Sequence, residues 1–345
     1  MLTFAIPTWN RARYLKKCIQ SIIDQVPTVD EIIKIVVFDN HSDDETPDVL
    51  REFKEKYPLL ISITRNNETC DGHVNFQKCF TSTDTKWTWT MGDDDMLAKG
   101  ALSMALKIIK ANNYRFIHVA ESTRFAGENA IYPGTLLDLA QKIGFVEISG
   151  FISCNICRTD FLKKAFSSRH MDAYNESCFS QSLALMEALS NERCAYVNMP
   201  LIELQEPEQT AETLERWKIG NTMMRYNLVA KGLKILVDEK ILPPELPDEF
   251  FRYLDSNLFS KILFVFWCEL NNTDQQISDE RWQLLFDLVG LLNANSRDPK
   301  IQAINAYRIK LDEYAQLLNR HKEIVYEAES LLQAVTLVRY PTTYM

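Results

Sequence analysis

The first 120 residues predict a doubly wound α/β sheet with parallel strands, followed by an α-helical C-terminal part. Three observations carry this. Short apolar runs alternate with helical stretches five times in about 120 residues, the rhythm of successive βαβ units. The second run, Ile32–Phe38, is apolar almost throughout, as a strand buried on both faces should be. From residue 211 to 338 helical periodicity stands alone.

The elements follow in order. Leu2–Ile6 is a short apolar strand, which Pro7 is expected to end by removing a ladder donor. After Thr8-Trp9-Asn10, residues 11–25 form a helix with Leu15, Cys18, Ile19, Ile22 and Ile23 on one face. Ile32–Phe38 is the second strand, 45–56 the second helix, and Leu60–Thr64 the third strand. A polar loop, Asn66–Gly72, leads into a short helix, Val74–Thr81, with Phe76 and Phe80 inward. Residues 86–91 read as a strand because Trp and Thr suit a pleated, half-buried surface. A helix at 98–110 and a strand at Phe116–Ala120 complete the alternation, and 121–150 reads as irregular.

Asp93, Asp94 and Asp95 stand in a row where the fourth strand ends. Three adjacent carboxylates repel one another and gain nothing from a core. A hard divalent cation such as Mg²⁺ or Mn²⁺, shared with nucleotide phosphates, would neutralise them. On an extended segment Asp93 and Asp95 point the same way and could reach one ion. The plainer reading is an acidic, solvated turn capping the next helix. Two further strand ends are polar, Thr8–Asn10 and Asp39–Ser42. In open α/β sheets ligands bind outside the carboxyl ends of strands, so all three clusters should meet on one edge. Neither GxGxxG nor GxxxxGK[ST] is present, which excludes a Rossmann dinucleotide site and a P-loop.

Bulk properties narrow the class. A chain of 345 residues with 46% hydrophobic and 25% charged residues suggests a globular protein of two domains. A formal net charge of -9 argues against a nucleic-acid binder. The opening Met1-Leu-Thr-Phe-Ala-Ile-Pro is not a signal peptide, and no run of about 18 apolar residues spans a membrane. Eight cysteines in so long a chain read as reduced thiols of a cytoplasmic protein. The Cys154/Cys157 pair lacks a second ligand pair and reads as packing rather than zinc.

Phe4-Ala-Ile-Pro-Thr-Trp-Asn-Arg, Val36-Val-Phe-Asp-Asn-His-Ser-Asp-Asp-Glu-Thr, Asn67 through Gly72 to Asn75, and Gly92-Asp-Asp-Asp-Met-Leu together resemble the family 2 glycosyltransferases of the GT-A fold. The Gly-Asp-Asp-Asp variant looks most like the branch with bacterial O-antigen sugar transferases such as abequosyltransferases. The resemblance covers residues 1 to about 120 and gives nothing after about 190. It implies a GT-A, mostly parallel sheet with flanking helices over 1–205 and an α-helical domain over 206–345.

It also implies roles. Pro7, Thr8 and Trp9 would hold the nucleotide base, the Trp9 indole stacking on it. Asp39 would accept the imide N–H of uracil or face another pyrimidine edge. Arg13 and Asn75 would lie near ribose or phosphate, with Asn67 and Asp94 also lining the nucleotide. Asp93 would contact ribose or metal, and Asp95 would ligate Mn²⁺ or Mg²⁺. The donor would be a nucleotide-diphosphate sugar, UDP- or CDP-linked by preference. The acceptor would be a glycan or a lipid-linked acceptor, and transfer of a hexosyl or deoxyhexosyl group would invert the anomeric carbon.

Many family members carry an acidic base, often Glu-Asp, before a helix. Ser180-Gln181 stands near that place, ahead of a helix at about 178–190, with a strand expected near Phe145–Ser153. The nearby ionisable groups are His170, Asp172, Glu176 and Glu187. Since the family base is a carboxylate, Asp172 and Glu176 are the expected bases, Asp172 slightly ahead.

The C-terminal part reads as helices at 211–237, 247–271, 278–294 and 299–338. Phe250, Phe251, Leu254, Leu258, Phe259, Leu263, Phe264 and Trp267 make an apolar stripe that suits a bundle core. It also suits a homo-oligomer face, or peripheral docking at the inner membrane face. Two rivals remain: a nucleotide-sugar-binding scaffold with a degenerate acceptor half, and a sugar nucleotidyltransferase, which would want a Gly-rich basic loop after the first strand.

Overall fold

The computed structural model describes residues 1–122, 127–145, 148–177, 179–205, 229 and 231–243. The chain divides into two compact units, Met1–Asn175 with Phe179–Glu208, and Glu176–Cys178 with Gln209–Met345. In the second unit, 231–238 is helical, with Leu233 and Leu236 buried. The helices expected at 247–271, 278–294 and 299–338, and most of 211–237, lie outside the described residues, as does the apolar stripe.

The first unit begins as its alternation predicts: β1 (Leu2–Thr8), α1 (Ala12–Ile23), β2 (Ile33–Asp39), α2 (Thr46–Lys56), β3 (Ile61–Arg65), α3 (Gly72–Thr81) and β4 (Trp87–Thr90). These four strands pair in parallel in the order β3-β2-β1-β4. Helix α1 buries the predicted stripe Leu15, Cys18, Ile19, Ile22 and Ile23. Every residue of β1 is buried, and Phe4 stacks on Trp89 of β4 with ring centroids 5.2 Å apart.

Pro7 does not end β1. Its register partner is Phe38, and the strand runs on to Thr8. Ala5 faces β4, its carbonyl accepting from the Met91 amide, so Pro7, two residues on, faces the same way. Proline thus removes one donor on the β4 side, where the pairing ends at Thr90 opposite Ala5, and leaves the β2 ladder intact through Thr8 opposite Asp39.

The second half departs from a mostly parallel sheet. It adds β5 (Asp95–Leu97), α4 (Ala101–Ala111), β6 (Phe116–Glu121), β7 (Ala130–Thr135), α5 (Leu136–Ile143), β8 (Asn155–Arg158), α6 (Thr159–Phe166), α7 (Met171–Asn175), α8 (Ser180–Leu189) and β9 (Arg193–Leu204). Strand β8 inserts antiparallel between β4 and β6, β9 lies parallel to β6, and β5 and β7 both pair antiparallel with β9. The sheet among the described residues is therefore mixed. The cause is the segment after β6, expected to be irregular, which supplies β7 and α5. Strand β7 runs down the sheet beside β9, and β8 starts at the carboxyl edge and also runs downward, antiparallel to β4 and β6. No strand forms in the described part of 145–153; a 3-10 turn at Ile152–Cys154 precedes β8. Helix α4 starts three residues later than predicted because β5 takes Asp95–Leu97 into the sheet. Gly100, with φ of 80°, makes the turn between them, a left-handed conformation that glycine adopts without strain.

This topology brings Thr8, Asp39, Arg65, Glu121 and Leu204, the last residues of five strands, to one edge. Asp93 to Asp95 and Asn155 lie on the same edge.

Candidate active site

The loops after β1 and β2 are tied to each other before anything binds. Asn10 (φ 50°) and His41 (φ 62°) adopt left-handed turns, which Asn and His tolerate better than most residues. The Asn10 amide donates to Ser42 Oγ at 2.9 Å, and the Asp43 amide donates to Asn10 Oδ1 at 2.8 Å. The first free N–H of α1, on Ala12, donates to Asp44 Oδ2 at 3.1 Å, so the second loop caps the first helix. Trp9 projects beside them, 36% exposed, while Pro7 and Thr8 are buried.

Asp39 is 1% exposed. Its carboxylate accepts from the Ser42 amide at 2.9 Å and from Arg65 Nη1 at 2.6 Å. Arg65 also donates to the Ser42 carbonyl at 2.6 Å. A buried carboxylate is thus charge-paired at the rim of the site. Below it, Asn66 Nδ2 donates to Asn40 Oδ1 at 2.8 Å and to Asn75 Oδ1 at 3.0 Å, and Asn75 Nδ2 donates to the Phe38 carbonyl at 3.1 Å. Asn75 is therefore a buried brace of the β2–β3 ends. Asn67 is exposed, and Asn66 makes the bonds.

The aspartate triplet is not the extended segment expected: Asp93 and Asp94 form a turn, closed by the Asp95 amide on the Gly92 carbonyl at 3.4 Å, and Asp95 opens β5. Asp93 and Asp95 are each 7% exposed and Asp94 is half-buried. Thr8 Oγ1 donates to Asp93 Oδ2 at 2.6 Å. Arg11 Nη1 lies 3.4 Å from Asp93 Oδ1 and makes a closer ion pair with Asp94. Arg13 is exposed on α1, so Arg11 is the arginine that turns toward the carboxylates. Ser153 Oγ accepts from the Gly92 amide at 2.8 Å and donates to Asp95. Cys18 Sγ donates to the Gly92 carbonyl at 3.5 Å; burial first, and the three aspartates after it, push its thiol well above the usual range.

Burial pushes the Asp93 carboxyl up to about 7, opposed by Arg11 and reinforced by Asp94. Burial likewise pushes Asp95 up to about 7, opposed by the Ser153 hydroxyl and reinforced by Asp94, Asp93 and Glu121. Among the described residues no three His, Cys, Asp or Glu side chains enclose a metal position. The donor set still fits a hard divalent cation. All its atoms are carboxylate oxygens, two of the groups are buried with too little positive charge nearby, and Mg²⁺-like ions take one or two protein carboxylates and leave the rest of the shell to phosphates and water.

Asp172 is exposed on α7, and Glu176 is exposed and falls with the second unit. Gln181, at the amino end of α8, donates to the Gly150 carbonyl at 3.0 Å. Glu187 accepts from Ser168 Oγ at 2.6 Å and from Tyr174 OH at 2.8 Å, which ties α7 to α8. Arg65, Arg11, Ser153 and Glu121 were not singled out from sequence. Arg11 and Arg65 carried a local signal, a cation within three residues after a strand-end motif or ending the next strand. Ser153 carried none.

A family model described as glycosyl transferase family 2 matches residues 3–187. Abequosyltransferase RfbV of Salmonella typhimurium (strain LT2) is 31% identical over 104 residues, 30% of this chain and 31% of that protein. The GalNAc(5)-diNAcBac-PP-undecaprenol beta-1,3-glucosyltransferase of Campylobacter jejuni is 25% identical over 198 residues, 57% of this chain and 59% of that protein. The match thus spans less than two thirds of either relative. The crystal structure of S. aureus TarS 1–349 in complex with UDP-GlcNAc superposes with a TM-score of 0.59 at 15% identity, over 99% of this chain and 93% of that one. The mannosyltransferase PcManGT from Pyrobaculum calidifontis, in complex with GDP-Man and Mn²⁺, gives 0.54 at 13% identity, over 95% and 86%. At these identities the likeness is one of fold, the GT-A fold.

Proposed function

The chain belongs to glycosyl transferase family 2, and from that membership we propose that it moves a sugar from a nucleoside-diphosphate sugar to an acceptor hydroxyl. The observation that carries the reading is the meeting of Thr8, Arg11, Asp39 and Asp93–Asp95 on one carboxyl edge, each already held by a named partner. Residues 1–205 would form the donor domain and 206–345 an α-helical domain. The acceptor would be a glycan or a lipid-linked glycan, as the names of the two relatives suggest.

Asp39 and Arg65 would read the base edge, with Trp9 stacking on its face; a uracil or cytosine offers the small edge this pair can span. Asp93 and Asp95 would hold Mn²⁺ or Mg²⁺, with Asp94 lining the nucleotide beside them. When bound, that cation would offset the negative charge that develops on the departing diphosphate. Arg11, released from Asp93 and Asp94 as the cation takes over their charge, would turn to the phosphates. Asn75 would keep the loop over the ribose in place, and Asn67 and Arg13 would border the phosphates from the rim. A carboxylate, Asp172 or Glu176, would take the acceptor proton so that its oxygen attacks opposite the leaving group and inverts the anomeric carbon. Holding donor and acceptor in line supplies much of the rate.

One observation favours a second reading. Gln181 spends its amide on Gly150 where many family members place the acidic base, which suits a chain that binds nucleotide sugar without transferring it. Incubation of the full chain with UDP- and CDP-sugars, Mn²⁺ and glycan or lipid-linked glycan acceptors decides between them. Release of nucleoside diphosphate that chelator abolishes supports transfer. Binding without release supports the second reading, and neither result rejects both.

A further inference from the structure

We propose that Ser153 is the positioning residue that aims the Asp95 carboxylate at the cation, an inference that rests on the metal reading above. Ser153 is 1% exposed. Its hydroxyl stands between the Gly92 amide, from which it accepts at 2.8 Å, and Asp95 Oδ2, to which it donates. The amide takes one of the two lone pairs, and the proton goes to Asp95 Oδ2, an acceptor with no hydrogen of its own when ionised. That bond takes one carboxylate oxygen and leaves the other for a ligand.

The backbone around Ser153 is held against drift. The carbonyls of Gly150, Ile152 and Ser153 accept from Gln181 Nε2 at 3.0 Å, Thr90 Oγ1 at 2.7 Å and Trp89 Nε1 at 2.8 Å. Trp89 and Thr90 belong to β4, which leads through the turn at Asp93-Asp94 to Asp95 at the start of β5. The strand just before Asp95 therefore also fixes the serine that orients it. This accounts for Gln181 as well: it secures the far end of the same segment. Hydroxyls and amides that orient a metal-ligating carboxylate are as consequential as ligands, and their loss costs about 10–100-fold in metal affinity.

The test is calorimetry of Mn²⁺ binding to the full chain in saturating UDP, with UDP binding in chelator as the second readout. Ser153→Ala should weaken Mn²⁺ about 10–100-fold and leave UDP affinity in chelator unchanged. Ser153→Thr, which keeps the hydroxyl, should restore Mn²⁺ affinity to within a few-fold of the parent. If Ser153→Ala does not fold, Ser153→Cys, of similar size but a weak donor, carries the same expectation. Parental Mn²⁺ affinity in the Ala or Cys variant overturns the role of Ser153 alone. A parent chain that binds no Mn²⁺ in the presence of UDP overturns the metal reading and this inference with it.

Discussion

Thr8 and Asp93 lie 85 positions apart in sequence, yet Thr8 Oγ1 donates to Asp93 Oδ2 at 2.6 Å. The bond joins the end of β1 to the turn after β4 and makes two motifs into one site. Its geometry follows from the parallel register of β1 and β4, Leu2 opposite Trp87 and Ala5 opposite Thr90, which delivers both strands to the same edge.

The floor of that site leaves little room beside its glycine. A Cβ on Gly92 would lie 3.0 Å from Asp94 Oδ1, 3.1 Å from Asp95 Oδ2 and 3.1 Å from Ser153 Oγ. Gly92→Ala should therefore destabilise the chain by about 1–3 kcal/mol, as overpacking does, and displace two of the three carboxylates. Urea unfolding and Mn²⁺-dependent UDP binding measure the two effects. A variant with parental values for both would mean that the turn relaxes freely.

Metal-free stability should fall as pH rises from about 5 to about 7. The Asp93 and Asp95 carboxyls stand near 7 in the folded chain and at the ordinary 3.8 when unfolded, so in that window the folded state binds more protons. Their protonation thus favours folding at low pH, and the benefit is lost as pH climbs through 7. Asp84, held down by Lys34, and Asp138, held down by Thr135, act in the opposite sense but only around and below the ordinary 3.8. Asp95→Asn, fixed in the neutral state, should melt above the parent at pH 8 in chelator, by a margin that narrows at pH 5 and closes only below the unfolded value of 3.8. Melting curves across pH check this; a parent that gains stability from pH 5 to 7 relative to Asp95→Asn contradicts it.

Asp39→Ala leaves the Arg65 guanidinium and the Ser42 amide without their acceptor. A loss of about 1–3 kcal/mol of stability is expected. The same change should erase discrimination among bases, while Trp9→Ala should weaken all nucleotides by lost stacking. Competition between UDP, CDP and a purine diphosphate reads this out. If the purine competes as well as the pyrimidines in the parent chain, Asp39 and Arg65 do not read a pyrimidine.

Asp172→Asn or Glu176→Gln should keep nucleotide affinity and lose transfer by roughly 10²–10⁴-fold, the usual contribution of a positioned base. His170→Gln is the milder control. Transfer to the true acceptor is the required assay, because hydrolysis to water need not use the same base. Near-parental transfer by both carboxylate variants would move the search to Glu121, a 2% exposed carboxylate at the carboxyl end of β6.

The sequence by itself determined the first four strands, their helices and the chemistry of their ends. Apolar runs such as Ile33–Asp39 and the stripe of α1 carry their periodicity locally, and a polar residue straight after a buried strand has few places to go but the edge. That Asp93 and Asp95 are both buried beside a half-buried Asp94 matches the expectation, but the cause does not, since a turn at Asp93-Asp94 rather than an extended backbone sets their directions. Only the tertiary structure decided the antiparallel insertion of β8, the passage of β1 through Pro7, and the choice of Arg11 over Arg13. It also decided that Ser153 would meet Asp95, 58 positions away. These depend on which strand lies next to which and on where a neighbour ends. Pairing energy between segments distant in sequence leaves no periodic trace in either one, so the partners of a strand-end residue are settled by assembly of the sheet.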